Sequence, residues 1–182
     1  MPELGRYSGP AIALHWIVFV LIAVGWGLGT YMADLPFSPQ KLKYVAWHKW
    51  LGVTIFLVAA FRLAWRLGHD VPPLPAMPAW QRSAAMTVHW LLYALILIIP
   101  LTGWLFSSAT GVPTVYLGVI QLPDLIAKNK TTADLLRSIH WALNWTLFVV
   151  VLGHTAFALK HHFIDRDLVL RRMLPLRSNR DK

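Results

Sequence analysis

The sequence predicts an all-α integral membrane protein, a four-helix up-down bundle with both termini in the cytoplasm. Three observations carry that expectation: four apolar stretches of spanning length, a composition too apolar for a soluble domain, and an uneven division of cations between the loops. Of 182 residues, 57% are hydrophobic, and mean hydropathy is +0.52. That suits one small membrane domain over residues 1–182. A hydrocarbon core of about 30 Å takes roughly 20 apolar residues to cross as a helix.

The first stretch runs from about Ala11 to Ala33 and ends in Tyr31-Met32-Ala33, resembling a signal-peptide cleavage site. It is longer than a typical signal core and carries His15, so it is expected to stay as a span. The second, Leu42 to Trp65, has His48 near its start and Arg62 and Arg66 at its far end. The third, Ser83 to Ser107, contains His89, with Pro100 and Gly103 expected to bend or loosen it; bundles tolerate this when neighbours satisfy the freed carbonyls. The fourth, Ala133 to Leu159, contains His140 and His154.

Between the second and third spans, Val71-Pro72-Pro73-Leu74-Pro75 reads as a stiff connector that cannot continue a helix. The longest loop, Ala109 to Thr132, holds the apolar run Val115 to Ile120, expected to lie on the membrane surface or cap the bundle. The tryptophans gather near span ends, where the interface favours their rings, and are expected to act mostly as anchors.

An even number of spans divides the 17 Lys and Arg residues into two groups. One side has Arg6, Arg62, Arg66, Arg82, Lys160, Arg166, Arg171, Arg172, Arg177, Arg180 and Lys182; the other has Lys41, Lys43, Lys49, Lys128, Lys130 and Arg137. The excess on the first side places both termini in the cytoplasm. The net charge of +9 sits beside apolar stretches rather than on a soluble face with interleaved aromatics, which argues against nucleic acid as a partner.

The absence of cysteine removes iron–sulfur clusters, thiolate metal sites and covalently attached c-type haem, leaving His or oxygen ligands for any cofactor. An ionisable group inside a span costs about 2.5–3.5 kcal/mol on insertion scales and usually faces a partner. A single such histidine reads as an interhelical hydrogen bond, but His15, His48, His89, His140 and His154 all fall within spans. His140 and His154 are fourteen residues apart, so they return to nearly the same helix face about 21 Å apart along the axis. Because neighbouring spans alternate in direction, His48 shares the depth of His140, and His15 shares that of His154. Two imidazoles from facing helices at one depth suit the axial positions of a haem iron. Two such pairs predict two b-type haems and electron transfer. His89 lies at the depth of His15 and could compete with it for His154. It is expected instead to contact a haem propionate or a quinone, and Arg62 and Arg66 either hold propionates or snorkel to headgroups.

With these residues in hand, the chain resembles the bacterial cytochrome b561 family of small di-haem membrane proteins. The likeness is strongest at His15-Trp16, at Arg62 and Arg66 before the Pro-rich loop, at His140 with His154, and in KHHFIDRDLVLRRMLP from Lys160. The departures lie mainly in the loop after the third span and in aromatic choices. The resemblance implies axial ligation by His15, His48, His140 and His154, a non-axial His89, and location in the bacterial inner membrane. It implies oxidation of superoxide with ubiquinone as acceptor. The broader group also contains cytochrome b subunits that relay electrons between a dehydrogenase or hydrogenase and quinone, so a redox partner protein is the alternative. A haem-free proton-relay transporter is a third reading, disfavoured because no inverted repeat or broken helix is visible. No residue is singled out as catalytic. Quinone reduction needs protons, for which His89, His161, His162 and Asp165 are the candidates, and the cations Lys41, Lys43, Lys49, Lys128, Lys130 and Arg137 would form a positive mouth for a small anion.

Overall fold

Residues 5–73 and 77–175 are described by the computed structural model. Four helices account for most of them: α1 (Gly9–Ala33), α2 (Pro39–Gly68), α3 (Ala79–Thr110) and α4 (Lys130–Phe163). Each is long and apolar enough to cross a membrane, and each outruns or matches its apolar stretch by a few residues at either end. The ends follow local chemistry. The Ser38 side chain accepts from Lys41 N at the start of α2, and Asn129 accepts from Thr132 N at the start of α4, each satisfying an otherwise orphaned donor. α3 stops at Gly111, whose φ of 73° closes the last turn in the left-handed conformation that glycine adopts without strain.

The helices alternate in direction. His15 early in α1 meets Arg62 late in α2 and His154 late in α4, whereas His48 early in α2 meets Gly29 late in α1 and His140 early in α4. The first and last described residues therefore lie at one end of the bundle, called here the terminal end. Between the two histidine levels sits a dry core of Val18, Ile55, Ala59, Leu95, Ile96, Ile99 and Leu147, drawn from all four helices.

α3 continues through Pro100 without a break in helical assignment. Gly103, expected to loosen that span, instead admits a ring from α4, as described below. The apolar run after α3 forms a small antiparallel hairpin, with β1 (Val115–Tyr116) paired to β2 (Ile120–Gln121). Its connection places both Leu117 and Gly118 at positive φ, a conformation that costs the leucine. The hairpin caps the end of the bundle away from the termini. Trp50 Nε1 donates to Val115 O at 2.6 Å, and Thr54 and Tyr116 hydroxyls lie 3.1 Å apart.

At the terminal end a short 3-10 turn, Arg171–Met173, is clasped by distant segments. Arg172, 6% exposed, donates to Gly5 O and to Pro73 O, each at 2.9 Å. Arg6 donates to Leu174 O, and Trp16 Nε1 to Met173 O at 2.7 Å. Three tryptophans (Trp16, Trp50 and Trp104, the last bonded to Pro123 O) thus tie loops to helices, a role beyond interface anchoring. Val71 to Pro73 form irregular chain leaving α2; Leu74 and Pro75 of the Pro-rich connector, with the tail cations Arg177, Arg180 and Lys182, lie outside the described residues.

Candidate functional site

At the hairpin end, the rings of His48 and His140 face each other with centroids 6.3 Å apart and planes at 88°. A cleft opens beside them, lined by residues of all four helices including Gly25, Gly52, Ile96 and Asn144. Both rings rest on glycine. A Cβ at Gly29 would fall 2.9 Å from His48 Cε1, and one at Gly103 would fall 3.1 Å from His140 Cε1. Gly52 also borders the cleft and faces open space, so a side chain there would project into it. His140 Nδ1 lies 3.1 Å from Ile99 O and 2.9 Å from Thr102 Oγ1, whereas His48 Nδ1 is buried without a hydrogen-bond partner.

At the terminal end, the rings of His15 and His154 are again 6.3 Å apart, with planes at 58°. His89 also reaches this level, 5.5 Å from His154, making a cluster of three. Arg62 Nη2 lies 3.0 Å from His15 Nδ1. The guanidinium carbons of Arg62 and Arg66 sit 5.3 and 5.8 Å from the ring centre of buried Tyr93. Both arginines therefore turn toward Tyr93 of α3. A second cleft is lined by these three residues with Tyr7, His69 and Met173.

The spacing of the pairs can be compared with what a shared metal requires. A metal–imidazole bond is about 2.0–2.1 Å, and the nitrogen lies about 1.1 Å from its ring centre, so two rings trans on one metal have centroids about 6.3 Å apart. Both pairs meet that spacing, and the His89–His154 pair falls short of it. Imidazoles from facing helices at that spacing, with ring beds open enough only for glycine under His48 and His140, form a donor set that fits an iron porphyrin.

The profile of the prokaryotic cytochrome b561 family matches residues 6–176. The chain belongs to that family. It is similar to cytochrome b561 homolog 2 of Escherichia coli K12, 33% identical over 177 residues covering 93% of this chain and 91% of that one. Cytochrome b561 homolog 1 of the same organism is 30% identical over 179 residues, covering 96% and 100%. A probable superoxide oxidase, CybB of Yersinia pestis, is 29% identical over 176 residues, covering 93% and 96%. As a cytochrome b561, the chain is a haem b electron carrier, an oxidoreductase by family, and its four spans make it a multi-pass bacterial membrane protein.

Away from the rings, several of the cations expected to form a positive mouth are committed to structure. Lys49 Nζ donates to Val112 O and Pro113 O, and Lys41 Nζ to Leu35 O and Ala33 O, while Lys43 lies over the Trp47 ring. Lys41 and Lys49 thus hold loops. In the last turn of α4, His161 Nδ1 stands 2.7 Å from Asp167 and 3.1 Å from Asp165, both just past the helix. Lys160 donates to Asp165 at 2.7 Å and holds that carboxyl below the usual carboxylate range. His162 Nδ1 is buried without a partner.

Sequence reasoning overlooked Gly29, Gly52 and Thr102 and the contact of Gly103 with a ring. A signal for the first existed in the close spacing of Gly25, Gly27 and Gly29 on one span, since small residues let neighbouring elements approach. Thr102 offered none, because an isolated threonine in a span ordinarily bonds its own helix backbone.

Proposed function

We propose that this cytochrome b561 is a single domain holding two haem b groups, one between His48 and His140 and one between His15 and His154. In this reading it passes electrons from superoxide, on the periplasmic side, to ubiquinone in the bacterial inner membrane. The observation that carries the proposal is the equal 6.3 Å separation of two histidine pairs at opposite ends of one apolar core. The excess of Lys and Arg at the terminal end supports a cytoplasmic location for it, which sets the hairpin end in the periplasm.

Bound haem supplies one-electron exchange between ferric and ferrous iron, and with both axial positions filled by histidine it presents no open site for oxygen. The balance is simple: two superoxide anions give up one electron each and leave as oxygen, while one ubiquinone takes two electrons and two protons. His161 with Asp165 and Asp167, close to the terminal end, is the group best suited to pass those protons inward.

Arg62 has a second role in this reading. Arginine only donates, so His15 Nδ1 accepts from it, and a neutral His15 then carries its proton on Nε2. Ligation through Nε2 needs that proton on Nδ1, so Arg62 must turn to another acceptor. A haem propionate is an anion of the right chemistry, and Arg66 beside Tyr93 is placed to share it. His89, too close to His154 to stand opposite it across one iron, is left for a propionate or quinone contact.

The cations Lys41, Lys43, Lys49, Lys128, Lys130 and Arg137 surround the hairpin end and would draw in a small anion. Screening shortens that attraction from about 30 Å at 0.01 M salt to about 8 Å at 0.15 M. Superoxide-driven reduction of a ubiquinone analogue by the haem-loaded protein should therefore slow several-fold over this range, while reduction by a neutral donor holds steady. No quinone reduction by a fully haem-loaded sample removes superoxide as donor; co-purification with a large soluble subunit would then favour the relay role for a partner dehydrogenase or hydrogenase.

A further inference from the structure

The two histidines at the hairpin end are held differently, and the difference lies in a side chain from α3 that the electron-transfer reading does not use. Thr102 is 7% exposed, and its hydroxyl donates to Ile99 O at 2.7 Å. A hydroxyl has one proton, so what it turns toward His140 Nδ1, 2.9 Å away, is a lone pair. Ile99 O, 3.1 Å from the same nitrogen, is an acceptor as well. Nδ1 faces two oxygens that can only accept, so Nδ1 bears the proton and Nε2 keeps its lone pair. Gly103, one residue on, lets the ring lie close enough to the α3 backbone for both contacts. None of the other three rings has a hydroxyl and a carbonyl so placed among the described residues: the ring of His48 lies by the Gly25 backbone but meets no hydroxyl, His15 Nδ1 faces the donor Arg62, and His154 has neither contact.

We propose that Thr102, together with the Ile99 carbonyl, is a positioning group for His140 that fixes its tautomer and ring orientation and sets the reduction potential of one haem apart from the other. This rests on the reading of His140 as an axial ligand. An Nδ1–H donated to oxygen orients an imidazole and makes its other nitrogen a stronger donor. A stronger donor favours ferric over ferrous iron and so lowers the potential. Placed at one level alone, the device biases electrons toward the level that lacks it, from the hairpin end to the terminal end.

The test uses the full-length, haem-loaded protein and its Thr102→Val and Thr102→Ser variants, with haem counted per chain and both potentials resolved by redox titration. Thr102→Val should keep two haems and raise one potential by up to about tenfold in the reduction equilibrium, about 59 mV for one electron, leaving the other in place. Thr102→Ser should restore the parent value. If Thr102→Val loses one haem while Thr102→Ser keeps both, the positioning role also stands. Unchanged potentials, equal shifts at both haems, or equal behaviour of the two variants overturn it. The axial assignment has its own check, since a His140→Ala protein that retains two haems sinks that reading whatever Thr102 does.

Discussion

Replacing His140 with alanine should leave a chain that binds one haem where two are proposed for the parent. In the proposed pairing His140 supplies one of the two nitrogens at the hairpin end, and its ring stands 6.3 Å from His48 with nothing else of its kind within reach among the described residues. Alanine would remove the proposed ligand and leave a void beside the cleft, so the remaining imidazole would have no partner across the iron. The cost extends to the fold. A ligand that binds only the folded state at a thousand times its dissociation constant contributes about 4 kcal/mol. Loss of one haem should accordingly lower the thermal midpoint by many degrees. His48→Ala should do the same, and the double variant should be little worse than either single one, because both remove one unit. Haem content by pyridine haemochrome and a melting curve for the four proteins read this directly. Additive losses in the double variant would mean that the two histidines do not share a metal.

The second large effect separates three histidines crowded at one level. His15→Ala should lose the terminal-end haem, whereas His89→Ala should keep both. The argument is distance: two rings trans on one iron sit about 6.3 Å apart, which His15–His154 meets and His89–His154, at 5.5 Å, does not. His89→Ala should instead alter the potential or quinone reactivity of that haem, since it lies beside the ring of His154 and near Arg62 and Arg66. Haem counts on the two variants settle the choice. A His89→Ala protein with one haem and a His15→Ala protein with two would reverse the assignment.

The heights of these groups were legible in the sequence because 1.5 Å per residue and alternating helix direction convert residue number into depth. That conversion paired His48 with His140 and His15 with His154, and the rings of each pair do face each other. It left His89 ambiguous for a physical reason. Depth says nothing of how each helix is rotated about its axis relative to its neighbours, and azimuth is what separates His15 from His89. The same blindness hid the glycine beds. That Gly29 and Gly103 underlie imidazoles depends on which faces of α1 and α3 meet α2 and α4, and no single-helix pattern encodes that. The inward turn of Arg62 and Arg66 follows from Tyr93, contributed by another helix. The hairpin was half legible: its apolar run was visible, but its anchor is Trp50 on α2, 65 residues away in the chain.

The measurement that bears most directly on this account is the number of b-type haems per chain in the purified protein after expression with ample haem, taken from a reduced-minus-oxidised spectrum and a pyridine haemochrome assay. Two histidine pairs at matched spacing predict two. A polypeptide that is folded and carries none, or that carries one and keeps it in both His140→Ala and His154→Ala, would contradict the pairing.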